Sequence, residues 1–259
     1  MIQQLKEIFK YRELLLALIE RELKVRYKQT LLGASWAIIQ PLSLTLIFTF
    51  IFAVVTTIPT GNVAYPIFAY TALLSWTILA TALNFASFSI LNNAALVTKV
   101  YFPREILPLA SISAHLVDFA ISSSILVFLM AIYKVNPTFN LLFILPILAI
   151  ELIFALGIAL LFSSLVVILR DFKFVIPLLT QLWLFATPVV YSANSVPENL
   201  KLIYKVNPMV SIIENFRKAI LGQPLEWNGL LISLGVSIFT LIIGYLVFKK
   251  LERNFADVI

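Results

Sequence analysis

The sequence predicts an all-α integral membrane protein with six transmembrane helices and both termini inside. Three observations carry that reading. Of 259 residues, 61% are hydrophobic and 12% are charged, whereas a soluble domain is roughly half apolar and about a quarter charged. The apolar residues gather into runs long enough to cross a bilayer. Lysine and arginine are distributed unequally between the segments that join those runs.

A spanning helix needs about 20 apolar residues, each rising about 1.5 Å through roughly 30 Å of hydrocarbon. Six stretches fit, at 36–55, 66–90, 107–132, 141–169, 174–190 and 230–248. The fifth is the shortest and has Pro177 and Pro188 near its ends. In lipid every backbone polar group must pair internally, so runs of this length read as helices. The chain divides into an interfacial helix with the approach to the first span (1–35), spans one to five (36–190), an outer gate region (191–229), and span six with a tail (230–259). Together they form one transmembrane domain. Residues 1–28 are charged throughout and have no continuous apolar core, so they read as retained and not as a signal peptide.

With the N-terminus inside, inner segments carry 14 Lys and Arg and outer segments 5. The positive-inside rule then favours both termini in the cytoplasm. It also places the segment 98–108, TKVYFPREILP, on the cytoplasmic face. Residues 8–28 read as an amphipathic helix, with Tyr11, Leu14, Leu15, Leu18 and Ile19 in one stripe. Glu20 with Lys24 and Glu22 with Arg26 form i,i+4 pairs. Such a helix lies in the inner interface or packs on a partner; its run into Gly33 and Trp36 favours the interface. The outer segment 191–229 holds two short helical patterns, 200–206 and 209–221, divided by Asn207-Pro208 and ended by Gly222. The hexapeptide IYKVNP occurs at 132–137 and again at 203–208, both outer positions in this topology.

Composition excludes several functions. There is no cysteine and a single histidine, His115, so one chain offers neither a thiolate nor a His-based metal site. Nothing resembles a phosphate-cradling GxxxxGK[ST] loop, so any ATP used is bound by another chain. No nucleophile, base and orienting group can be assembled, and no catalytic residue is expected. No nucleic-acid partner is expected either.

The ionisable residues in or near the spans are His115, Asp118, Glu151 and Arg170. A charge at membrane depth faces protein or water. His115, Asp118 and Glu151 therefore read either as a proton relay or as polar bonds between packed helices. Aromatic residues near span ends or beside polar positions are Trp36, Phe48, Phe52, Trp76, Phe85, Trp183, Phe185 and Tyr191. They suit stacking on sugar rings along a path, or an interfacial belt. Gln40-Pro41 and Thr187-Pro188 break helical hydrogen bonding, which points to the first and fifth spans as path-lining. Arg21, Lys24, Arg26 and Lys28 precede the first span. They attract anionic headgroups at about 1 kcal/mol per charge, a lipid-linked diphosphate among them, or serve as ordinary positive-inside anchors.

The run RELKVRY from Arg21 with Leu32, Gly33 and Trp36, then Gln40-Pro41-Leu42, the run KVYFPREILP from Lys99, Arg170-Asp171-Phe172-Lys173, Thr187-Pro188-Val189-Val190-Tyr191, Val196-Pro197, Asn207-Pro208-Met209 and Phe216-Arg217 cover most of the chain. In these the sequence resembles permease subunits of type-2 ABC exporters, in the branch that exports O-antigen, capsule and teichoic acid polysaccharides. The resemblance implies a homodimer that works with two ATPase subunits. ATP and Mg would bind on those partners and no cofactor on this chain. It implies ATPase coupling through a cytoplasmic coupling helix with Lys99, Tyr101, Phe102, Pro103, Arg104 and Glu105, and through Arg170 and Asp171. Tyr101 and Phe102 are expected to fill a groove of the partner. The substrate implied is an undecaprenyl-diphosphate-linked glycan and the location the bacterial plasma membrane. A type-2 exporter of a drug or smaller lipid would share the topology. A proton-coupled secondary transporter built on His115, Asp118 and Glu151 is the reading from a different class.

Overall fold

The computed structural model describes residues 7, 9–28, 30–55, 63–193 and 196–258, and all regular structure among them is helical. Five helical runs are long and apolar enough to cross a membrane: Gly33–Ala53, Tyr65–Asn92, Ile106–Ile132, Phe139–Ile168 and Trp227–Asn254. The expected fifth span is a shorter apolar helix, Phe172–Phe185. Its 14 residues reach about 21 Å, less than the roughly 30 Å of hydrocarbon.

We label the main helices α1 (Arg12–Tyr27), α2 (Trp36–Thr49), α3 (Tyr65–Asn84), α4 (Ser89–Asn92), α5 (Ala94–Lys99), α6 (Ile106–Ile132), α7 (Ile144–Ile168), α8 (Phe172–Phe185), α9 (Lys201–Val206), α10 (Pro208–Ile220), α11 (Trp227–Leu251) and α12 (Phe255–Val258). The centre of the bundle is α3, buried along most of its length and packed by α2, α6, α7, α8 and α10. Its threonine hydroxyls return to their own helix, with Thr71 donating to the Phe68 carbonyl (2.9 Å) and Thr77 to Leu74 (2.7 Å). These two threonines thereby sit in an apolar core with their hydroxyls paired.

Pro41 shows how a break is absorbed. Proline lacks an N–H, so the carbonyl four residues earlier loses its helical partner. That carbonyl belongs to Ala37, and the Ser122 hydroxyl of α6 donates to it at 2.6 Å. The proline thus ties α2 to α6. Beyond Thr49 the backbone widens into π-helical turns over Phe50–Val55.

Helices α7 and α11 approach each other backbone to backbone. A Cβ built on Gly157 would lie 2.6 Å from the backbone nitrogen of Leu241, and one built on Gly244 would meet the Gly157 carbonyl. The buried face of α11 carries Ser233, Ser237 and Gly244, the small residues that let helix backbones meet in lipid.

The stripe on α1, expected on a helix lying in the inner interface, packs against the chain's own bundle. Leu18 is buried, and Tyr11, Leu14, Leu15 and Ile19 pack with it against a cluster holding Ile90, Phe102, Ile106, Leu107 and Phe248. The bundle offers an apolar surface there, built by the start of α6 and the C-terminal ends of α7 and α11, and α1 covers it. Leu16 and Val25 of α1 are exposed.

Candidate functional site

The coupling segment begins with α5. Val100 leaves the helix with extended backbone (φ −128°, ψ 137°), and α6 starts at Ile106. Because the chain is extended rather than helical here, adjacent side chains diverge. Tyr101 is 92% exposed and Phe102 is 3% exposed. Phe102 sits with Val97, Ile106, Val167, Phe248 and Phe255. The expectation that both rings fill a partner's groove is therefore corrected. Tyr101 is free to do so, whereas Phe102 pins the segment to its own bundle. Pro103 restricts the backbone between them and the helix, and its carbonyl accepts from the Ile106 amide at 3.1 Å. Lys99 is exposed. Arg170 and Asp171 are exposed at the turn between α7 and α8. Val167, three residues before that turn, shares the cluster of Phe102, so both turns lie at one end of the bundle.

Arg104 and Glu105 face inward as well. The Arg104 guanidinium donates to the Glu252 carbonyl and lies 5.9 Å from the Phe255 ring centroid. Glu105 is buried, and the Lys249 ammonium donates to its carboxylate at 3.0 Å and to that of Glu252 at 2.9 Å. Sequence reasoning gave Lys249 no role. Its partner is 144 residues away, and nothing in the local pattern marks it.

A second polar cluster joins α1 to α6. Arg26 forms an ion pair with Asp118, and the Tyr27 hydroxyl donates to the same carboxylate at 2.5 Å. Burial, then the bond to Asp118, push the Tyr27 hydroxyl up to about 12, so it stays a neutral donor. An Arg26 nitrogen lies 3.5 Å from His115 Nδ1, which also contacts the Ser111 carbonyl at 2.7 Å. A cavity of about 370 Å³ beside the cluster is lined by Trp36, Gln40, Thr77, Thr81 and Phe85 among others. Glu151 takes its hydrogen bond elsewhere, from the Ser75 hydroxyl of α3 at 2.9 Å. His115, Asp118 and Glu151 are thus divided between two separate contacts, which matches the reading as polar bonds between packed helices better than the reading as a relay.

The basic cluster is largely engaged. Arg21 donates to the Asn93 side chain, and Lys24 meets Glu20 at 2.5 Å, which holds the Glu20 carboxyl below its ordinary range. Arg26 belongs to Asp118. Lys28 is exposed.

At the other end, α8 stops at Phe185, and Thr187-Pro188 turns the chain. The carbonyls released there are taken by Arg217 of α10. It donates to Pro188 at 3.0 Å, Val189 at 3.2 Å and Phe68 at 3.3 Å, and forms an ion pair with Glu214 at 2.8 Å. Its guanidinium carbon stands 3.6 Å over the Phe68 ring, and the residue is 2% exposed. Asn207 caps α10 by accepting from the Met209 amide at 3.1 Å while its amide donates to the Thr187 hydroxyl at 3.0 Å. Positive φ at Gly222 follows α10. Both expected short helices, α9 and α10, are present in this outer segment.

The expected path aromatics do not form one surface within the chain. Phe48 and Phe52 stack at 6.0 Å and pack toward Tyr65 and Phe68. Trp183 donates to Asn207 at 3.3 Å, and Tyr191 to the Phe185 carbonyl at 2.8 Å. Trp36 and Phe185 are about half exposed. Trp76 is 4% exposed inside the core of α3, so it is a packing residue and lines no path.

Among the described residues no group of acidic and histidine side chains forms a metal centre. Residues 13–221 match the profile of the family described as ABC-2 type transporter. An "O-antigen export system permease protein RfbA" of Klebsiella pneumoniae is 30% identical over 248 residues, 95% of each chain. One from Myxococcus xanthus is 29% identical over 260 residues, 99% of each. The "Polysialic acid transport protein KpsM" of Escherichia coli is 24% identical over 243 residues, 92% of this chain and 93% of that one.

Proposed function

This chain belongs to the ABC-2 type transporter family, and we propose that it is the permease subunit of an ATP-driven polysaccharide exporter in the bacterial inner membrane. Relatives along nearly its full length carry the names of O-antigen export and polysialic acid transport proteins. The substrate we assign is an undecaprenyl-diphosphate-linked glycan. Two copies of the chain form the path between them, and two ATPase subunits bind ATP and Mg. We count Phe172–Phe185, completed by the turn that follows it, as the fifth of six crossings, with both termini cytoplasmic. The exposed Lys24 and Lys28 meet anionic headgroups, while α1 lies along the inner face.

The observation that carries this reading is Tyr101. It is a nearly fully exposed aromatic ring on a segment fixed by Phe102, Pro103 and Arg104, in a chain with no nucleotide-binding motif. An exposed ring on a rigid support is the kind of anchor that dominates an interface, where truncation costs about 2 kcal/mol or more. Tyr101→Ala is expected to weaken ATPase association about 30-fold and to reduce export correspondingly. The chain itself still inserts and folds. Unchanged co-purification of the ATPase together with unchanged export contradicts the docking role.

A further inference from the structure

We infer that Lys249 is a positioning residue for energy coupling: it ties the segment that meets the ATPase to the inner end of α11, so that displacement of one moves the other. The inference rests on the docking reading above. Its observations are separate from Tyr101. The Lys249 ammonium bridges Glu105 at the start of α6 and Glu252 at the end of α11. Arg104 makes a second tie, to the Glu252 carbonyl. Between the two polar ties lies an apolar plug, in which Phe102, Phe248 and Phe255 are all buried. Phe248 and Phe255 meet edge to face at 5.5 Å.

Each part has a mechanical consequence. An apolar contact alone can slide, because dispersion has no preferred direction. A charge-assisted hydrogen bond fixes donor and acceptor within a few tenths of an ångström. Glu105 is buried, so its carboxylate cannot exchange Lys249 for water without exposing an uncompensated charge. The segment is therefore held at two polar points with a packed centre and cannot rotate about any one of them. On the far side, α11 is backbone-close to α7 at Gly157 and Gly244. A displacement delivered at Lys249 thus reaches a paired unit of two long helices. The outward face of the coupling segment binds, and its inward face transmits.

The test uses the permease–ATPase complex in liposomes and reads ATP hydrolysed per polymer exported. Lys249→Arg keeps a charged donor and is expected to hold the wild-type ratio. Lys249→Met is expected to raise the ratio about tenfold while the ATPase stays bound. Because Lys249→Met leaves Glu105 buried and unpaired, the double variant Glu105→Gln/Lys249→Met separates folding from coupling. With the buried Glu105 charge gone and the Glu252 side chain only partly buried, it is expected to recover yield and ATPase association and to retain the raised ratio. A wild-type ratio in the double variant overturns the inference, and so does loss of ATPase association in it. Failure of the docking reading looks different: the Tyr101→Ala complex would keep its ATPase, whatever the Lys249 variants do.

Discussion

Replacing Arg217 with methionine is expected to unfold the region that joins α8 to α10 and abolish export. The guanidinium is the shared partner of three carbonyls and one carboxylate contributed by α3, the turn after α8, and α10. Methionine fills most of the volume and supplies no donor. Breaking a buried ion pair by removing one partner costs about 3–5 kcal/mol, and the Pro188 and Val189 carbonyls, which lose this donor, add about 1–3 kcal/mol each, while the Phe68 carbonyl keeps Thr71. Set against a typical stability of about 5–15 kcal/mol, the loss consumes most of the available margin. Thermal unfolding in detergent is expected to fall by well over ten degrees, and the amount of protein in the membrane to fall with it. Arg217→Lys is expected to recover little. A single ammonium cannot span a fork that reaches Pro188 and Glu214 at once. A melting temperature near wild type in the methionine variant contradicts this account of the region.

The second large effect is expected from Gly157→Val. The first added carbon would stand 2.6 Å from one backbone atom of α11 and 2.7 Å from another. Backbone cannot swing aside as a flexible side chain can, so the two helices must separate. Overpacking of a core costs about 1–3 kcal/mol where side chains can adjust, and a clash with backbone belongs at or above the upper end. Separation also strips the close contacts that hold helices together in lipid. Gly235→Ala, on the facing helix α11, supplies the control: nothing lies within 4 Å of its added carbon. It is expected to leave stability unchanged or raise it by about 0.5–1 kcal/mol, since alanine is the better helix former. Equal stability of the two variants contradicts the close-packing account.

The course of the chain was legible because lipid simplifies the code. Long apolar runs marked six crossings; five coincide with helices long enough to span, with ends close to the expected ones, and the one expected at 174–190 is the shorter helix Phe172–Phe185. Asn207-Pro208 and Gly222 delimited α10 for local reasons that hold in any context. Local sequence alone fails at IYKVNP. The first copy closes α6, with Lys134 at φ 55°; the second is the end of α9, with its asparagine capping the next helix. The same six residues obey different neighbours.

The site was less legible because its decisive contacts are remote in sequence. Arg26 finds Asp118 across 92 residues, and Lys249 finds Glu105 across 144. Counting charges assigns both lysine and arginine to membrane anchoring, and only packing reveals that they join helices. Tyr101 and Phe102 looked equivalent as an aromatic pair, yet the extended backbone at Val100 sends them to opposite sides. Trp76 carried the composition of a path residue and the position of a core residue, since α3 is surrounded on all sides. The α1 stripe was read correctly as a stripe, but its spacing cannot say whether lipid or protein covers it.

The central claim is that this chain moves a lipid-linked glycan only when an ATPase subunit drives it. The direct measurement reconstitutes the purified permease in liposomes holding the lipid-linked polysaccharide, with and without its ATPase, and follows arrival of glycan on the opposite face. The account predicts transfer that requires both subunits and hydrolysable ATP and that ignores an imposed proton gradient. Transport by this chain alone, driven by protons, would contradict it.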